Sequence, residues 1–156
     1  DPQYVDAYDN LGLVLRRKGD LDNAEYYYKK SIELYPDGSA AHQNLIQVYL
    51  QKNLFDKALN ESNELKRIDQ NDPEGYFNAA RAYMLLNNLD AALDNASTAV
   101  RLYEASKHPS LRDGQLILGL IYYQKNDKNN ARTFLQKAKS NGLKIPADLS
   151  KELEIP

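Results

Sequence analysis

Apolar residues recur along this chain at the spacing of a helix face, in pairs of stripes parted by a short polar turn. In the first stretch Tyr8, Leu11 and Leu15 stand at i, i+3 and i+7, and after Gly19 the pattern resumes with Leu21, Ala24, Tyr28, Ser31 and Ile32. Such spacing gathers the apolar positions of each run on one side of a helix. The arrangement then repeats. DNLGLVLRRKGDLDNAEYYYKKSIELYP (9–36) aligns with QNLIQVYLQKNLFDKALNESNELKRID (43–69), FNAARAYMLLNNLDAALDNASTAVRLY (77–103) and LILGLIYYQKNDKNNARTFLQKAKSNG (116–142). Ala24, Ala58 and Ala92 lie 34 residues apart and Ala131 follows 39 later. Gly12, Ile46, Ala80 and Gly119 keep the same steps, so one register runs through four units with a five-residue insertion before the last.

Each unit reads as helix, tight turn, helix. Gly19, Asn53, Asn87 and Asn126 share one column between the stripes. Glycine and asparagine tolerate the left-handed conformation that ends a helix, so each marks a stop. Three residues later stand Asp22, Asp56, Asp90 and Asn129. An acid there suits the positive end of the second helix. The small residues of the Gly12 column let helices approach closely. The chain closes after Gly142: Leu143 to Pro146 break the fourth hairpin, and ADLSKELE (147–154) is a short amphipathic helix whose Leu149 and Leu153 lie over it.

These residues carry a family resemblance. Tyr8, Leu11-Gly12, Leu15, Gly19, Ala24, Tyr28, Ser31 and Pro36 follow the order of the tetratricopeptide repeat, which the chain resembles over roughly residues 5 to 142. Repeat two has Leu45, Tyr49, Phe55, Ala58 and Leu65, with Ile46 in the small column and its closing proline displaced to Pro73. Repeat three gives Tyr76, Ala80, Tyr83, Ala92 and Ala99, and repeat four Leu118-Gly119, Tyr122, Ala131 and Ala138. The resemblance implies an all-α, right-handed α-solenoid of four helix-turn-helix hairpins. The units are 5–38, 39–72, 73–111 with an inserted linker, and 112–145; 1–4 reads as the remnant of a preceding repeat or leader, and 146–156 as a capping helix. Hairpins of this kind bury their apolar faces only by stacking, and the ends of the stack need covers.

Composition narrows the function. Lys and Arg total 20 against 22 Asp and Glu, a net charge of −2, so the basic surplus of a phosphate-reading protein is absent and no nucleic-acid partner is expected. There is no Cys, which excludes disulfides and thiolate chemistry, and two His with one Met offer little for a metal site. No apolar run approaches the roughly 20 residues that span a bilayer. The chain opens at Asp1 with no leader pattern, which points weakly to the cytoplasm. The 12 Tyr fall mainly in packing columns and read as core. His42 lies in a packing column, and His108 stands before Pro109 in the linker away from any nucleophile or metal motif. Asn60-Glu-Ser62 and Asn95-Ala-Ser97 match the glycosylation pattern but sit mid-helix. No phosphate loop or convergent catalytic set is present. Neither an enzyme nor a cofactor is expected.

What remains is recognition. The family geometry implies that first helices line a concave groove, and one groove column reads Asn10, Asn44 and Asn78. An amide offers one acceptor and two donors, so such a row can bond the backbone of an extended peptide whatever its side chains. Gln47 and Arg81 stand beside it, and Phe77, Met84, Leu85, Leu116, Ile117, Leu120 and Tyr123 make the second half of the groove apolar. Either that apolar half is a partner surface, or the linker 104–111 or the terminal helix folds over it. The clamp by which some relatives grip the carboxylate of chaperone tails maps to Asp9, Leu13, Asn44, Glu74 and Asn78, only one of which matches, so chaperone tails are not the expected ligand in that mode. The reading is a scaffold that binds a protein or peptide segment in its groove. The alternatives are an assembly platform that self-associates (a homo-oligomer) through the apolar half of the groove, and an accessory repeat domain of a larger protein.

Overall fold

A computed structural model describes residues 2–155, with side chains over 4–155. Asp1 of the leading segment lies outside them, and Pro2 opens the first helix. All regular structure in the described residues is helical: α1 (Pro2–Arg17), α2 (Leu21–Leu34), α3 (Ser39–Gln51), α4 (Phe55–Ile68), α5 (Pro73–Leu85), α6 (Leu89–Ala105), α7 (Leu111–Gln124), α8 (Lys128–Ser140) and α9 (Ala147–Glu152).

Eight of these helices form four antiparallel hairpins, and the turns follow the expected column. Gly19 takes φ +83°, and Asn53, Asn87 and Asn126 take φ between 57° and 61°, each in the left-handed region that stops a first helix. The cap of the second helix falls on the next residue. Asp20, Asn88 and Asp127 accept from the backbone N–H three positions on, while Leu54 offers no such bond. Asp22, Asp56 and Asp90 therefore serve as first-turn acids and not as caps. Pro73 closes nothing: it stands at the start of α5, where its missing N–H costs no bond, behind the Asp72 cap. The five inserted residues are absorbed locally. α6 runs to 17 residues where α2 and α4 have 14, and Lys107 makes the turn into α7 at φ 53°.

Close approach within hairpins rests on the small column. A Cβ on Gly12 would lie 2.7 Å from Cε1 of Tyr28, and one on Gly119 would lie 2.7 Å from Cγ of Leu135. Ala80 and Ile46 fill the same column fully buried. Between hairpins, α2, α4 and α6 each wedge between two first helices, as α2 does between α1 and α3. Successive first helices approach one another along their backbones, whereas successive second helices stand farther apart and meet through long side chains, as where Lys66 of α4 donates to Asn95 Oδ1 of α6 at 3.2 Å. A stack whose first helices stand closer than its second helices bends toward the closer row, so α1, α3, α5 and α7 line the concave side. The buried core runs along the stack from Tyr28 and Leu45 through Ala92 and Ile121 to Leu135. Ion pairs reinforce the junctions: Lys52 of the α3–α4 turn bonds Asp22 and Glu25 of α2, and Lys125 bonds Asp90 two junctions later.

Candidate functional site

The three column asparagines do not stand alike. Asn10 is exposed and Asn44 half-buried, and neither side chain has a hydrogen-bond partner among the described residues. Asn78 is only 2% exposed and its amide is engaged at both ends: Nδ2 donates to the Glu74 carbonyl at 3.0 Å, and Oδ1 accepts from Gln47 at 3.2 Å and Arg81 at 3.3 Å. Arg81 Nη1 also donates to Gln47 Oε1 at 3.1 Å. Gln47, Asn78 and Arg81 thus form a closed set bridging α3 and α5, and Asn78 positions its neighbours where a free amide was expected. The Arg81 guanidinium lies over the Phe77 ring, 5.7 Å from its centroid, and burial holds its pKa below the ordinary arginine value.

Phe77 also packs edge-on against Tyr103, which is fully buried and donates its hydroxyl to Glu74 at 2.7 Å. Tyr103 in turn stacks on His108 of the inserted linker, so the linker is held at the α6–α7 junction. The terminal helix meets only the repeat-four part of the apolar half, and Leu85 in repeat three stays 51% exposed. Leu116, Leu120 and Tyr123 pack with Leu149, Leu153 and Ile155, and the Tyr123 hydroxyl donates to Glu152 at 2.7 Å. The open part of the concave face therefore spans repeats one to three. In repeat one, Asp9 Oδ1, Arg16 Nε and the Tyr28 hydroxyl are buried without a partner, and burial with Asp6 nearby pushes the Asp9 carboxyl up.

His42 is structural, as its column implies, and its geometry was not legible from the sequence. It is 3% exposed, with Nδ1 at 2.6 Å from Glu61 Oε2 and Nε2 at 2.9 Å from the Pro36 carbonyl. A carbonyl and a carboxylate both accept, so both ring nitrogens must donate, which only the imidazolium can do. Burial opposes that charge, but Glu61 and Pro36 outweigh it and the pKa is raised. A group with a raised folded-state pKa stabilises fully below its unfolded value of about 6.5 and stops doing so as pH rises through the native value. The melting temperature should therefore fall as pH rises across that window. A His42→Gln variant should show no such slope; an equal slope in both would assign it elsewhere.

Two sequence profiles described as tetratricopeptide repeat match residues 15–76 and 77–143. The chain belongs to the tetratricopeptide repeat family. Its fold agrees with solved tetratricopeptide repeat structures. One, from work on Pseudomonas aeruginosa PilF, superposes with a TM-score of 0.84 at 20% identity, over 98% of this chain and 70% of that one. Another, the TPR2B domain of yeast Sti1 in its complex with pHsp70, gives 0.73 at 20% identity, over 78% of this chain and 98% of that one. Among curated proteins, anaphase-promoting complex subunit 3 of Schizosaccharomyces pombe is 25% identical over 131 residues, 83% of this chain. The chain spans only 19% of that protein's length. Tetratricopeptide repeats generally serve protein–protein interaction and are typically non-catalytic, and the fold here is of that kind.

Proposed function

We propose that this tetratricopeptide repeat array binds an extended segment of a partner protein along the concave face of repeats one to three, and that it performs no catalysis. The observation that carries this reading is the pair of uncommitted amides at Asn10 and Asn44. They stand one repeat apart on neighbouring first helices, beside a wall already fixed by Gln47, Asn78 and Arg81. An amide without an internal partner can offer both donor and acceptor to a peptide bond. Phe77 supplies apolar surface next to it. Leu116, Leu120 and Tyr123 act mainly as the seat of the terminal helix. Glu74 and Asp9 put negative charge at two positions of the chaperone-tail clamp, which argues against that ligand.

With a partner in hand, Asn44→Ala should weaken binding about fivefold, the value of a hydrogen bond worth roughly 1 kcal/mol, while Asn63→Ala on the exposed side of α4 leaves it unchanged. A loss below about 0.5 kcal/mol at Asn44 contradicts the reading.

A second reading, an assembly platform, draws on the outer face of α1. Tyr4, Leu11 and Val14 are 60%, 40% and 47% exposed, whereas Leu45, Ala79 and Leu118, which share the Leu11 column, are at most 2% exposed. Light scattering tests it: a dimer lost on Leu11→Glu supports self-association through this face, and a monomer at high concentration ends it.

A further inference from the structure

Arg81 is half-buried with no carboxylate within ion-pair distance. Arg67, Arg112 and Arg132 each lie within ion-pair distance of an Asp or Glu, but the hydrogen bonds of Arg81 run to neutral amide oxygens of Gln47 and Asn78. Glu74 is the nearest source of negative charge, and its carboxylate already accepts the Tyr103 hydroxyl at 2.7 Å. Both bonds of the guanidinium leave from Nη1, so Nε and Nη2 have no hydrogen-bond partner among the described residues. The Phe77 ring under the guanidinium and the two amide oxygens beside it fix its plane. Those two donors stay open to water in the free protein, and a half-buried cation whose plane is already fixed can hand them to an anion with little further ordering.

We infer that Arg81 is the charge-reading residue of the groove and that the bound segment carries an Asp or Glu side chain which it grips. This rests on the groove reading above and adds the class of ligand. A single guanidinium among neutral amides matches one carboxylate better than a phosphate dianion. Arg81 stands on α5, where the open face ends against the repeat-four surface that the terminal helix covers. An Asp or Glu side chain reaches the guanidinium from a backbone that passes Asn44, without the segment having to end at that edge. Asn44 on the adjacent helix then holds the backbone next to the acidic residue.

The test is selection of random peptides, displayed with no free C-terminus, on the wild-type chain. Selected peptides are remade as soluble amidated peptides for affinity measurement. The expected result is a recurrent Asp or Glu whose exchange for Gln or Asn weakens binding about tenfold or more on wild type, as for a charge-assisted bond, and less than about twofold on Arg81→Gln. Because the peptide-side exchange is read on the wild-type protein, a poorly folded variant does not blunt it, and Arg81→Lys should restore part of the preference. Peptides that weaken on Asn44→Ala yet need no acid overturn this inference and leave the groove reading standing. Peptides indifferent to both Asn44→Ala and Arg81→Gln, or no selected peptide at all, overturn both. Tighter binding when phosphoserine or a free C-terminal carboxylate replaces the acid shows that the anion source assigned here is wrong.

Discussion

Gly119→Val should destabilise the fourth hairpin by about 3 kcal/mol, the upper range for forcing atoms into a packed core. A Cβ at that position meets Leu135 Cγ at 2.7 Å, its Cδ2 at 3.0 Å and its backbone nitrogen at 3.1 Å. Leu135 is fully buried beneath Leu153 and Ile155, so its side chain has no outward path, and the backbone atom cannot yield without moving α8. The two helices must part, and the seat of the terminal helix loosens with them. Against this stands only the gain from removing a glycine inside a helix, about 0.5 kcal/mol for a β-branched replacement. Stacked repeats unfold in pieces, so hydrogen exchange along α7 and α8 is the better readout, with a denaturant melt in support. Protection in repeat four should collapse first while repeats one and two hold. Unchanged protection in α7 and α8 would mean that the helix approach there is looser than described.

Tyr103→Ala should cost about 3–5 kcal/mol, as for other buried aromatic truncations. The ring fills the space that Gly114 leaves open, where a Cβ would come within 3.1 Å of Tyr103 Cδ2, and it carries Phe77 on one edge and His108 on one face. Tyr103→Phe separates packing from polarity. It keeps those contacts and removes only the hydroxyl bond to Glu74, worth about 1.5–3 kcal/mol because the acceptor is charged. The milder variant has a second consequence. Released from the hydroxyl, Glu74 becomes available to Arg81, so affinity for an acidic peptide should fall although the fold persists. Equal thermal destabilisation by Phe and Ala would show that the hydroxyl, not the ring, holds this junction.

The architecture was largely legible because it repeats. One 34-residue register fixes hairpin number, turn position and the small column, and the left-handed residues at Gly19, Asn53, Asn87 and Asn126 follow from turn chemistry alone. What a register cannot tell is which neighbour a side chain reaches. Asn10, Asn44 and Asn78 are equivalent in sequence, yet only Asn78 has both a Gln three columns on in the preceding repeat and an Arg at i+3 to satisfy. Its burial is a property of those three residues together. The covering of Leu116, Leu120 and Tyr123 likewise depends on where the chain turns after Gly142, and the sequence left linker and terminal helix as equal candidates. His42 shows the same limit: the column announces burial, but the two acceptors facing it come from Glu61 on α4 and from a backbone carbonyl with no sequence signature.

The central claim is that partners are held on the concave side. Site-specific photo-crosslinking tests it most directly, with benzoylphenylalanine placed in turn at Asn10 and Asn44 on first helices and at the exposed Asn63 and Arg101 on second helices. The account predicts that a bound partner cross-links from Asn10 and Asn44 and not from Asn63 or Arg101. Cross-links from Asn63 or Arg101 alone would place recognition on the outer surface and contradict it.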